Sequence, residues 1–201
     1  MPRTALKNLL ETYQPSAAET AFKPAMLALL EQYQDCFDRS RIPPGHFTAS
    51  AWLVGHQGEK ALLTHHGILK RWFQLGGHAD GNPDLLKAAQ REAEEESGLD
   101  RVIPLLPSIF DIDIHEIPEN PKRGEAAHNH YDVRFLFYSP DTTFKISDES
   151  LDVAWFSSDE IDTLNPDEAV RRQQRKWAEL RKNGRLAELI RQAEIALENF
   201  N

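Results

Sequence analysis

The chain has 201 residues, 40% hydrophobic and 27% charged, with a net charge of −9. That suits one globular domain with a real core, or a domain with a helical appendage, and is too hydrophobic for a chain disordered throughout. The acidic balance argues against a general nucleic-acid binder, the single cysteine (Cys36) excludes a disulfide framework or a cysteine-cluster metal site, and no apolar run reaches the roughly 18 residues of a membrane span. Met1-Pro2-Arg3-Thr4 is not followed by an apolar signal core, so a cytoplasmic protein without membrane or nucleic-acid partners is expected.

The first 40 residues read as helical. Leu6, Leu9, Leu10 and Tyr13 recur at helical spacing until Pro15, and Met26, Leu29, Leu30 and Tyr33 share a second face. After Pro43-Pro44-Gly45 the texture turns to strands: His46–Val54, a turn at Gly55–Glu59, the return Lys60–His65, and a short strand Arg71–Leu75. Gly76-Gly77 then opens a polar loop into a helix, with Asn82 as the expected N-cap, Pro83 at the first helical position and Gly98 at the stop. Strands are expected at Ser108–His115, His130–Tyr138 and Leu151–Phe156, with a loop over Ile117–Asn129, and Asn165-Pro166-Asp167 starts a final helical region. The order predicts a mixed α/β (α+β) domain with helical flanks.

The helix after the loop carries the chemistry. Leu85, Ala88, Ala89, Glu92 and Glu96 fall on one stripe at about 100° per residue, Glu95 flanks it and Glu94 points away. Carboxylates crowded into the C-terminal half of a helix oppose its dipole and repel one another, and a cation relieves both. All-oxygen ligands favour Mg²⁺, Mn²⁺ or Ca²⁺ over zinc. The bland alternative is a solvated acidic helix end. The stripe position of Glu92 and Glu96, and a Gly-Gly loop that lets backbone approach a ligand, favour a site.

Gly77, Arg91, Glu92, Glu95, Glu96, Gly98 and Leu99 resemble the Nudix box, G-x5-E-x7-R-E-U-x-E-E-x-G-U with U aliphatic. The strand before the box and the segment Asp152–Trp155–Phe156–Asp159–Glu160 are also similar to the family. The resemblance covers residues 46–162 as a Nudix hydrolase domain, leaving 1–45 as an N-terminal helical extension and 163–201 as a C-terminal helical segment packed on it. It implies a Nudix-type mixed β-sheet sandwiched between helices, and an enzyme that hydrolyses the diphosphate of a nucleoside diphosphate derivative with Mg²⁺ (or Mn²⁺). Glu92, Glu95 and Glu96 would hold the metal with the Gly77 carbonyl, Arg91 would orient the carboxylates by ion pairing, and one carboxylate or Glu149 would act as base. Pro83 stands where the motif has its first glutamate, which motivates an alternative: a Nudix-fold nucleotide-binding or sensing module without turnover. An isomerase acting on an allylic diphosphate is a third reading, which the position of Cys36 outside the domain does not support.

Other residues were weighed as substrate contacts. His128 and His130 alternate as in a strand and, with His115, compose a candidate phosphate-contacting or accessory metal cluster; Arg134 shares their parity, giving an expected cationic face. His78 lies in the box loop. Arg71 is a candidate phosphate contact, and Trp72 or Phe73 a candidate base-stacking residue or core aromatic. His46 reads as a strand start that lines a cleft at most. The basic run Arg171–Lys176, with Arg181, Lys182 and Arg185, reads as a solvated helix face. Trp177, Leu180, Leu186, Leu189, Ile190 and Leu197 form an apolar side that must cover the core or, in a homodimer, a partner subunit.

Overall fold

The computed structural model describes residues 3–67, 69–121, 124–143 and 152–199. In chain order these form α1 (Arg3–Thr12), α2 (Phe22–Gln32), β1 (Gly45–Gly55), β2 (Lys60–His65), β3 (Trp72–Phe73), β4 (Leu75–His78), α3 (Leu85–Ser97), β5 (Ile103–Pro104), β6 (Asp111–Ile117), β7 (His128–Tyr138), β8 (Val153–Phe156), α4 (Ser158–Thr163), α5 (Glu168–Lys182) and α6 (Arg185–Glu198). Hydrogen-bonded neighbours run β3-β2-β1-β7-β5, with β4 beside β1, β6 beside β7 and β8 beside β2. Asn129 N–H donates to Pro44 O at 3.0 Å and Ser139 N–H to Val54 O at 2.9 Å, so β1 and β7 advance together as a parallel pair. The other registered pairs are antiparallel, giving a mixed sheet.

The chain divides into two compact units. The first comprises Met1–Ser50, Gly76–Ala89 and Ser108–Phe135. Its core gathers Leu6 and Leu10 of α1, Met26, Leu29 and Leu30 of α2, and Phe47, Ile112 and Val133 from the strands. The N-terminal helices are stitched in by a buried carboxylate. Glu19 accepts hydrogen bonds from the Tyr13 hydroxyl, from Ser16 N–H at 2.8 Å and from Ile112 N–H in β6 at 3.1 Å. Each of those donors would lose its bond if Glu19 were truncated, and a buried orphan costs about 1–3 kcal/mol.

The second unit comprises Ala51–Leu75, Gln90–Pro107 and Leu136–Asn201. The α5–α6 pair closes its core. Trp177 meets Trp52 with ring centroids 6.0 Å apart and donates its indole N–H to Gly58 O at 3.2 Å. Gly58 leaves room only for the ends of Leu186 and Ile190, which a Cβ would meet at 2.8–3.0 Å. The apolar side of the C-terminal helices is buried in the chain's own unit at Trp177, Leu186, Leu189 and Ile190.

Several local expectations need correction. β4 runs to His78, so Gly76 and Gly77 are strand residues rather than the start of the loop. The helix after the loop starts at Leu85, leaving Pro83 outside it. Its cap is Asp84, whose carboxylate accepts from Lys87 N–H at 3.2 Å, while Asn82 accepts from Asp84 N–H at 2.9 Å in a preceding Asx turn. Gly98 does end the helix, at φ +63° with its N–H on Glu94 O at 2.8 Å. The final helical region breaks at Gly184 (φ +76°) into α5 and α6, after the separate α4. The basic run is not a plain solvated face: Arg172, Gln173 and Gln174 are buried, Gln173 donating to Gln74 Oε1 at 3.0 Å and Gln174 to Ser158 O at 2.9 Å. The two-residue β5 carries no alternation from which it could have been expected.

Candidate functional site

In the first unit, one face of the β6–β7 pair is polar over most of its length. The register sets Asp111 opposite Arg134, Asp113 opposite Asp132, His115 opposite His130 and Ile117 opposite His128. Residues two apart share a face, so His46, Thr48 and Ser50 of β1 extend the same pattern. Thr48 donates to Asp132 Oδ1 at 3.1 Å, and Ser50 donates to the same oxygen at 2.8 Å. Arg134, 2% exposed, bonds Asp132 at 2.7 Å through Nε, Asp111 at 3.0 Å through one terminal nitrogen and Asp113 at 3.2 Å through the other. Burial works against its charge, but Asp132, Asp111 and Asp113 outweigh that and raise its pKa. The parity expected for Arg134 is correct, yet the expected cationic face is absent there. Aspartates on both strands neutralise the guanidinium and seal it from a substrate.

The other end of this face gathers imidazoles. The His46 ring lies 4.9 Å from that of His130, 5.1 Å from His128 and 5.2 Å from His78, centroid to centroid. His115 stands 5.4 Å from His130, with Nδ1 on the Asp113 carboxylate at 3.2 Å. His128 Nδ1 lies 2.9 Å from Ala126 O; a carbonyl only accepts, so that nitrogen carries the hydrogen. Burial, then neighbouring imidazoles, pushes His46 down to about 4; burial also lowers His130 and His78. A neutral imidazole keeps a lone pair on one ring nitrogen.

Two glycines allow this approach. Gly45 has φ +142°, and a Cβ there would lie 1.9 Å from Asn129 O, so only glycine lets β1 begin against β7. Gly76, at φ +153°, would drive a Cβ to 2.4 Å from the Ser50 hydroxyl and 2.7 Å from Ala49 O. His78, two residues on, is brought to His46 by that close contact of β4 with β1.

In the second unit, the C-terminal half of α3 presents the carboxylates. The stripe holds: Leu85, Ala88, Ala89 and Ala93 are buried, and Glu92 and Glu96 are half-buried. Arg91 ties two of the glutamates, reaching Glu92 at 2.8 Å and Glu95 at 3.0 Å. The Glu92 side chain is 16% exposed and that of Glu95 60%, so one carboxylate is held against the protein and the other faces water. Gln90 occupies Glu94 at 3.0 Å, on the far side of the helix. Arg71 donates to Asn165 O at 3.2 Å, and Phe73 packs edge-on to His66 at 6.0 Å. Glu149 lies outside the described residues.

A family model described as the NUDIX domain matches residues 44–179, more than half of the chain. The chain belongs to the Nudix family. The match extends into α5 and takes in α3 with its Nudix-box glutamates. Solved structures sharing its mixed α+β fold include a Caenorhabditis elegans Ap4A hydrolase (16% identity, TM-score 0.50, covering 68% of this chain and 98% of that one). Another is a MutT protein from Methanosarcina mazei (17%, 0.50, 69% and 94%). At such identities the likeness is one of fold. No curated protein sequence matches the chain. Among the described residues, no helix is long and apolar enough to cross a membrane.

Reading the sequence grouped His115, His128, His130 and Arg134, but it left His78 in the box loop and His46 at a strand start, so neither was assigned to the cluster. The signal was present: His46, Thr48 and Ser50 alternate as polar residues in an otherwise apolar strand, directly after Gly45. The aspartate partners of Arg134 were also missed, although Asp111-Ile112-Asp113 shows the same alternation.

Proposed function

We propose that this Nudix protein is a Mg²⁺-dependent pyrophosphohydrolase that cleaves the diphosphate linkage of a nucleoside diphosphate derivative. The observation that carries the reading is the state of α3, where Arg91 bridges a half-buried Glu92 and an exposed Glu95 beside Glu96. The donors are all carboxylate oxygens, a set that suits a hard cation, Mg²⁺ before Mn²⁺. Glu92, Glu95 and Glu96 are the proposed ligands. When bound, the ion would supply charge neutralisation at the phosphates and a lowered pKa for an attacking water.

The remaining work belongs to the chain. Arg91 restrains Glu92 and Glu95 at fixed positions, reducing the ordering needed when a ligand arrives. A glutamate of the set not fully engaged as a ligand takes the proton from water. Pro83 replaces the motif's first glutamate, and Arg91 pairs with Glu92 and Glu95. The same proline is the feature that favours the second reading, a nucleotide sensor without turnover.

A panel of sugar nucleotides, dinucleotides, nucleoside triphosphates and coenzyme A derivatives, assayed with and without Mg²⁺, decides between them. We expect metal-dependent product from one class, with Glu95→Gln and Glu96→Gln each slowing it about 100-fold or more, the loss of a few kcal/mol of charge stabilisation. Metal-independent turnover, or turnover indifferent to both changes, overturns the hydrolase reading. A ligand that raises the melting temperature and is recovered intact establishes the sensor.

A further inference from the structure

The chemistry proposed for α3 does not call on the imidazole cluster of the first unit. We propose that His46, His78 and His130 form a separate binding site for a divalent transition-metal ion, Zn²⁺ by preference, independent of the hydrolase reading. One ring nitrogen from each lies within 4.8 Å of those of the other two. Ligands around zinc at about 2.0–2.1 Å stand roughly 3.3 Å apart, so small ring rotations close the set.

His46 supplies the second, independent observation. It is 1% exposed, and neither of its ring nitrogens makes a well-formed hydrogen bond among the described residues, the Arg41 carbonyl being the backbone acceptor that faces the ring. A buried, unbonded polar nitrogen costs on the order of what a lost hydrogen bond costs, and native proteins seldom leave one so. Coordination satisfies the lone pair of His46 where the protein offers no donor to it. His115, beside His130, is itself held by the Asp113 carboxylate, and His128 is pinned in one tautomer by Ala126 O.

The donor set determines the ion. Three neutral imidazoles are borderline ligands that favour Zn²⁺, Fe²⁺, Ni²⁺ or Cu²⁺ and discriminate against Mg²⁺, the reverse of the α3 glutamates. Three protein ligands also leave a tetrahedral ion one position for water or an anion oxygen, as in sites that do more than brace a fold.

Untagged full-length protein, stripped of metal and titrated with Zn²⁺ against a chromophoric chelator in excess Mg²⁺, tests the assignment. We expect one equivalent of Zn²⁺ per chain, visible d–d absorption of a nitrogen-ligated ion on Co²⁺ substitution, and a melting temperature that rises with Zn²⁺. His78→Gln and His130→Gln should each weaken binding about 100-fold, at least the effect of removing an outer-shell partner. The double change Glu95→Gln with Glu96→Gln should leave Zn²⁺ affinity unaltered. If His130→Gln does not fold, the half-buried His78→Gln carries the comparison, with its apo circular dichroism spectrum as control. Absence of stoichiometric Zn²⁺, equal affinity in the histidine variants, or loss of Zn²⁺ in the glutamate variant overturns the site. Failure of hydrolysis in the panel assay has no bearing on it.

Discussion

Burying Arg134 among Asp111, Asp113 and Asp132 takes charges of both signs out of water, and the cost is offset only while every partner stays in place. Removing the guanidinium leaves three aspartates facing one another. Arg134→Met should therefore lose about 3–5 kcal/mol of stability. Arg134→Lys should recover little of it, because an ammonium is a point charge that cannot reach three carboxylates as a planar fork does. Urea denaturation at pH 7 measures both, and a Met variant as stable as the parent would contradict the role assigned to the network. At this scale the sequence was partly legible. Alternation put Arg134 on the histidine face, but a cation on a polar stripe looks the same whether it faces solvent or three buried aspartates from two strands. Cys36 is buried, its pKa pushed up by that burial and only partly offset by Arg3.

Among the elements, β1 shows how one backbone position governs a site. Its first residue sits so close to Asn129 that any side chain there collides with backbone, which cannot swing aside as a side-chain tip can. Gly45→Ala should cost about 2–3 kcal/mol or more, combining strain at positive φ with overpacking. Gly81→Ala, at φ +79° with no atom near a new Cβ, should cost only about 1 kcal/mol. Thermal unfolding of the pair separates steric collision from backbone preference, and equal losses would show that the approach of β1 to β7 is not what Gly45 secures. The α3 helix was legible because its stripe, its stop at Gly98 and its acidic end are all local signals. Its start was misjudged because Asn82 and Asp84 are equally good caps by type, and the choice between them depends on which carbonyl and which N–H the turn brings into reach.

At the scale of the whole molecule, the helices near either end of the chain each pack on strands or turns of their own unit. α5 and α6 cover Trp52 and Gly58 in the second unit, and Glu19 ties the N-terminal helices to β6 in the first. A chain ending at Thr163 would expose the faces that Trp177, Leu186 and Ile190 now bury; losing one such large side chain costs about 3–5 kcal/mol, comparable to a domain's entire stability. We expect the truncated chain to lose its cooperative thermal transition, observed by circular dichroism. A transition unchanged in midpoint would show that α5 and α6 are dispensable.

What the sequence by itself determined was whatever is carried by neighbours along the chain: the mixed α/β class, the amphipathic α3, the spacing of Arg91, Glu92, Glu95 and Glu96, and the alternation of His128 and His130. Each follows from the helical or strand period, which one segment specifies alone. Only the tertiary structure decided which strands meet. It placed His46 and His78 against His130 across a long stretch of chain, and gave Arg134 aspartate partners instead of water. Pairing between distant strands depends on register, close-approach glycines and burial, and none of these is written in the order of residues around the side chains they bring together.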